Sequence, residues 1–120
     1  MFEHRRHVEV LISAGVEFQR AALSGGGTRS IHWLQMFADG LGVPMTVAEC
    51  DETGALGAAV GAAVATGIHR DYETAVSTMT RKRATYVPDL QMRKHYERRF
   101  AIWTRLTAAM EPFWLDLQGK

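Results

Sequence analysis

The sequence contains a single cysteine, Cys50. One thiol excludes an internal disulfide framework and a cysteine-based zinc site, and it fits a reducing, cytoplasmic setting. An excess of charge is also missing. Fourteen Lys and Arg stand against thirteen Asp and Glu, a net of +1, so overall charge gives no ground for expecting nucleic acid or a membrane surface as partner. Long apolar runs are absent too. The longest uncharged stretch, residues 54–68, is mostly Gly and Ala and too short to span a bilayer. Met1–His7 carries charge where a leader would be apolar. What remains is 47% hydrophobic and 22% charged, which excludes disordered and fibrous classes. A chain of 120 residues is about one small domain, taken here as 1–120. It is too short for most enzymes that place a cleft between two domains.

Periodicity predicts an α/β order. Residues 2–14 read as a helix with Val8, Leu11 and Ile12 on one face and Gly15 as its stop. Residues 16–23 read as a short strand that ends at Gly25-Gly26-Gly27. Thr28 or Ser30 can cap a helix to about Leu41, with Trp33, Leu34, Phe37 and Leu41 on its buried face. Gly42 then stops it, and residues 44–48 form a second strand. Strand, glycine turn, helix and strand make a βαβ unit with parallel strands. Residues 53–67 predict a helix of Ala, Gly, Val and Leu, buried all round and close to its neighbours. Each interior Gly there costs roughly 1 kcal/mol relative to Ala. Asp71 caps a helix over 72–80, and residues 81–89 read as a basic connection. The last helix spans 91–110, with Met92, Tyr96, Phe100, Trp103, Leu106 and Met110 on one stripe and Pro112 just beyond.

Ser24-Gly25-Gly26-Gly27-Thr28-Arg29-Ser30 is the strongest local motif. Glycines between a strand and a helix let backbone N–H groups face an anion, so phosphate or nucleotide binding is one reading. A tight turn with no ligand is the other. A Walker loop is excluded, because the Gly-Lys-Ser/Thr ending is absent. A dinucleotide fingerprint is incomplete, since Ser30 stands where its third Gly belongs. Glu49 and Asp51 do lie where a ribose-binding acid would sit. Acids ahead of the small-residue helix are better explained by its dipole than by a ligand. Between Arg81 and Arg105 there are eight basic residues and two acids. The interleaved aromatics Tyr86, Tyr96 and Trp103 fit core packing better than base stacking. Arg93 and Glu97 form an i,i+4 pair. His4 and His7 lack a third ligand, no nucleophile–base–acid set is visible, and Cys50 reads as a small buried residue.

Taken together, residues 23–30 (Leu-Ser-Gly-Gly-Gly-Thr-Arg-Ser), 33–44 (Trp-Leu-Gln-Met-Phe-Ala-Asp-Gly-Leu-Gly-Val-Pro) and 52–59 (Glu-Thr-Gly-Ala-Leu-Gly-Ala-Ala) resemble the C-terminal region of the FGGY carbohydrate kinases. The Tyr-x-Pro-Asp segment at 86–89 and Pro-x-Trp at 112–114 extend the resemblance over nearly the whole chain. It implies part of an actin-like (ribonuclease H-like) ATPase domain, with short parallel strands and several packed helices. It also implies a sugar or polyol kinase that uses ATP with Mg. By position, Gly25, Gly26 and Gly27 would approach the nucleotide. Arg29 would lie near it, and Ser30 would occupy the adenine side, where glycerol kinases have Asn. The helix from Gly54 would pack against the nucleotide pocket.

The family's Asp base, sugar pocket and phosphate loops have no counterpart in these residues, and neither Asp39 nor Asp51 matches the base. The resemblance therefore implies no catalytic residue, no metal ligand and no phosphorylation by this chain alone. It implies weak binding of adenine nucleotide, and as partner a separate N-terminal kinase piece or a second copy, because two strands leave edges exposed. The alternatives are a non-catalytic oligomerisation or interaction module and, less favoured, a dinucleotide-binding domain. A pentulose or polyol fits better than glycerol.

Overall fold

A computed structural model describes residues 1–117 and 119, without the side chain of Leu115. The elements are α1 (Phe2–Ser13), β1 (Ala21–Leu23), a 3-10 turn (Gly26–Arg29), α2 (Ile31–Leu41), β2 (Met45–Ala48), α3 (Thr53–Ala65), α4 (Tyr72–Met79), β3 (Lys82–Tyr86) and α5 (Leu90–Leu117). The βαβ unit forms as its pattern predicts: β1 and β2 are parallel, with Ala21 opposite Met45 and Leu23 opposite Val47. Caps set the ends of α2. Ser30 Oγ accepts the Trp33 N–H at 3.3 Å, and Gly42 takes a left-handed conformation, φ 73°, which an L side chain resists.

Several expectations change. The first strand is only Ala21–Leu23, because residues 16–20 form no ladder. The basic connection contains a third strand: β3 pairs antiparallel with β2, giving the order β1-β2-β3. So the sheet is mixed and has three strands rather than two. The last helix runs through Pro112 to Leu117 instead of stopping at Met110. The small-residue helix α3 is mostly exposed. Only Val60 and Ala63 are buried in it, and a Cβ added at Gly54, Gly57 or Gly61 would meet nothing within 4 Å.

The core lies on one face of the sheet. Phe37 and Ala38 of α2 pack with Val43 and Met45, and Phe18, Leu23, Leu41 and Tyr86 close around them. Strand alternation places Ala21, Leu23, Met45 and Val47 on that face. On the outer side of α2, Phe2 packs against Phe100 and Trp103 at centroid distances of 5.7 and 6.0 Å. The Arg5 guanidinium lies 4.4 Å over the Phe100 ring. The predicted stripes are thus only partly interior. Leu34, Phe37 and Phe100 are buried, whereas Trp33, Met92 and Leu106 are exposed, and Cys50 is half-buried. The opposite face of the sheet, with Ala22, Thr46 and Thr85 in register, carries small side chains, one apolar and two hydroxylic. Among the described residues no helix is long and apolar enough to cross a membrane.

Candidate functional site

The predicted site residues come together at the C-terminal edge of the parallel pair, where ligand crevices form in open α/β sheets. β1 ends at Leu23, and the chain reverses through Gly25, whose φ of 90° is a conformation that only glycine adopts cheaply. Residues 26–29 then make one 3-10 turn that leads directly into α2. Thr28 is the buried pin of this turn: its Oγ1 donates to the Gly25 carbonyl at 2.8 Å and its N–H to the same oxygen at 3.0 Å. The N–H groups of Gly26 and Gly27 open the turn and have no backbone acceptor among the described residues. A Cβ on Gly26 would point into open space, whereas one on Gly27 would lie 2.9 Å from the Trp33 indole nitrogen. Gly27 therefore packs closely against the Trp33 ring, and Gly25 is required by its backbone conformation. Gly26 leaves backbone accessible from outside.

Arg29 is exposed and makes no ion pair among the described residues. Ser30 is also exposed. Its oxygen is engaged as the cap of α2, but the hydroxyl keeps a proton to donate. Beside the turn lies a cavity of about 340 Å³ lined by Ser24, Thr46, Thr53, Thr80, Arg81 and Lys82 among others. Two cations and several hydroxyls share this lining with the apolar Ala22, Leu23 and Ala48. Glu49 and Asp51 follow β2 at the same edge, and both are exposed.

Two features of this region escaped sequence reasoning. Arg83 of β3 reaches the turn: its Nη2 donates to the Thr28 carbonyl at 2.7 Å, and its Nη1 lies 3.3 Å from Asp51 Oδ1. The alternation Lys82-Arg83-Ala84-Thr85-Tyr86, with Thr and Tyr in a short run, was the available strand signal. Asp39, buried in α2, accepts from Gln35 Nε2 and from the Asp89 N–H, both at 2.8 Å. Gln35 also donates to the Val87 carbonyl, so α2 holds the connection that leads from β3 into α5.

Among the described residues no three His, Cys, Asp or Glu side chains cluster, and His4 and His7 gain no third ligand.

Comparison with known proteins agrees with this geometry. The model of the FGGY family of carbohydrate kinases, C-terminal domain, matches residues 1–66. The L-xylulose/3-keto-L-gulonate kinase of Escherichia coli (strain K12) is 27% identical over 94% of this chain and 23% of its own length. An autoinducer-2 kinase of Enterobacter sp. (strain 638) is 27% identical over 79% of this chain and 18% of its own. The chain thus spans less than a quarter of these relatives. Among solved structures, a xylulose kinase from Rhodospirillum rubrum superposes on 93% of this chain and 23% of its own, with TM-score 0.78 and 32% identity.

Proposed function

The chain belongs to the C-terminal domain of the FGGY family of carbohydrate kinases, and from that premise we propose that it is the nucleotide-side wall of an ATP-dependent sugar or polyol kinase. The observation that carries this reading is the Gly25–Ser30 turn at the C-terminal edge of β1, which leads straight into α2 and whose Gly26 and Gly27 N–H groups have no backbone acceptor among the described residues. Gly26 lets a nucleotide approach the backbone. Arg29 supplies a cation at the same rim, and Ser30 offers its hydroxyl proton toward the adenine side. ATP, when bound, supplies the phosphoryl group.

These residues bind and orient, and none of them takes a proton from a substrate hydroxyl. Phosphoryl transfer needs a positioned base and clamped charge around the transferring group. In this reading the base and most of the groups around Mg-ATP come from a partner surface. The chain alone is accordingly a binding unit without kinase activity, and its substrate class in the assembled enzyme is a pentulose or polyol.

The second reading, an interaction module, draws support from the surface. The chain exposes 8745 Å², where a compact chain of this size exposes roughly 6,500 Å². The exposed α3 and the bare sheet face suit a second polypeptide, either a separate N-terminal kinase piece or another copy. Calorimetric titration tests the first reading: ADP and ATP should bind saturably in the millimolar range, and NAD should not. Unchanged heat and melting at millimolar ADP would overturn it.

A further inference from the structure

We propose that Arg83 is a positioning residue for the glycine turn: its guanidinium fixes the distance between that turn and the loop after β2, and thereby sets the affinity of the turn for adenine nucleotide. The ligand in this proposal rests on the nucleotide reading above. The tie itself rests on contacts. Arg83 Nη2 donates to the Thr28 carbonyl at 2.7 Å, and Nη1 to Asp51 Oδ1 at 3.3 Å. Thr28 is the buried pin that closes the turn on Gly25, so holding its carbonyl holds the turn. Asp51 lies in the other loop at the same edge of the sheet.

Neither contact is local. Arg83 is 55 residues from Thr28 and 32 from Asp51. What aims it is an irregularity in the ladder. Val47 opposes Ala84, but Ala48 opposes Lys82, so Arg83 is the unpaired extra residue of a bulge. Bulges bend a strand locally and re-aim a side chain, and they concentrate beside functional sites. Only a guanidinium offers two divergent N–H groups in a rigid fork, whereas a lysine ammonium reaches one of the two partners at a time. The pair is also well exposed, with side-chain accessibilities of 37% for Arg83 and 45% for Asp51. Exposed pairs add little to global stability, so the tie acts on local geometry and leaves melting nearly unchanged.

The test uses the full 120-residue chain carrying Arg83→Gln, Arg83→Lys or Asp51→Asn. Each variant is followed by amide hydrogen exchange and by ADP titration. In Arg83→Gln the Thr28 and Ser30 amides should exchange about tenfold faster, the loss of one charge-assisted hydrogen bond. The Trp33 indole N–H resonance should shift, while the Met45 and Val47 amides of the central strand keep their protection. ADP affinity should fall by about tenfold. Arg83→Lys should recover part of both effects, and Asp51→Asn should show a smaller loss of the same kind. Unchanged exchange at the turn in Arg83→Gln overturns the tie. A loosened turn with unchanged ADP affinity overturns the positioning role. Loss spread evenly over all amides assigns Arg83 to general stability and overturns it as well. If the unsubstituted chain fails to bind ADP, the nucleotide reading falls with the affinity clause, and the exchange data still decide the tie.

Discussion

Asp39 is the polar residue whose removal should be felt most. Its Oδ1 serves both the Gln35 amide and the Asp89 N–H from a site that is 3% exposed. Asp39→Ala leaves both donors without their acceptor. An unsatisfied buried group costs about 1–3 kcal/mol, and urea unfolding should register that loss, with Asp39→Asn retaining most of the stability. Asp71 acts through its charge. The Thr74 N–H bonded to Asp71 Oδ1 at 2.7 Å, and the Thr74 hydroxyl after it, hold the carboxyl below its ordinary value, with nearby Arg70 and His69 adding to this. A group with a lowered folded-state pKa stabilises the fold above its unfolded pKa and loses that contribution as pH falls through the lowered value. The first turn of α4 should therefore fray in acid. Thr74 amide exchange, accelerating below the ordinary carboxylate range, would register it. Gly42→Ala combines a left-handed φ of 73° with a Cβ 2.8 Å from the Arg93 guanidinium carbon. Its cost should be at least about 1 kcal/mol by thermal unfolding.

At the scale of elements, α3 allows a substitution that stabilises. Gly57 is a helix-interior residue where a Cβ meets nothing within 4 Å. Gly57→Ala should raise the stability of this chain by about 0.5–1 kcal/mol. If the added methyl also weakened association with a kinase partner, closeness to that partner would explain the glycine. Element identity was readable where a local cause dominates. The caps at Ser30 and Asp71, the stop at Gly42 and the helical spacing of Leu34 and Phe37 each act within a few residues. β3 carried only the weak signal of Thr85 and Tyr86, because Arg81, Lys82 and Arg83 mask a five-residue strand whose partner lies more than thirty residues upstream. The burial of α3 was misjudged for a related reason. Small apolar residues state that something comes close, but not that it belongs to the same chain. The glycine turn was legible from its composition, whereas Arg83 needed the ladder and its bulge. The passage of α5 through Pro112 went unread because a proline ordinarily ends a helix. Pro112→Ala should add helical signal in circular dichroism by restoring an N–H to the ladder.

The whole molecule is more open than its length requires. Its radius of gyration is 18.5 Å, against about 13–14 Å for a compact chain of this size. α5 contributes most, since 28 residues make a rod of about 42 Å. Small-angle scattering should return the open dimension in dilute solution. A second component in light scattering that grows with concentration would mark self-association through the bare surfaces. The sheet adds a consequence about how the chain is wired. Ala48 and Lys82 sit side by side as antiparallel neighbours, although residues 49–81 lie between them in the chain. Within that excursion α3 and α4 pack chiefly on each other. In wiring, then, β2 and β3 are a hairpin with a helical pair spliced into its bend. Cutting out the helical pair and joining the strand ends through a two-residue Asn-Gly turn should leave a miniature that keeps the core around Phe37 and Met45.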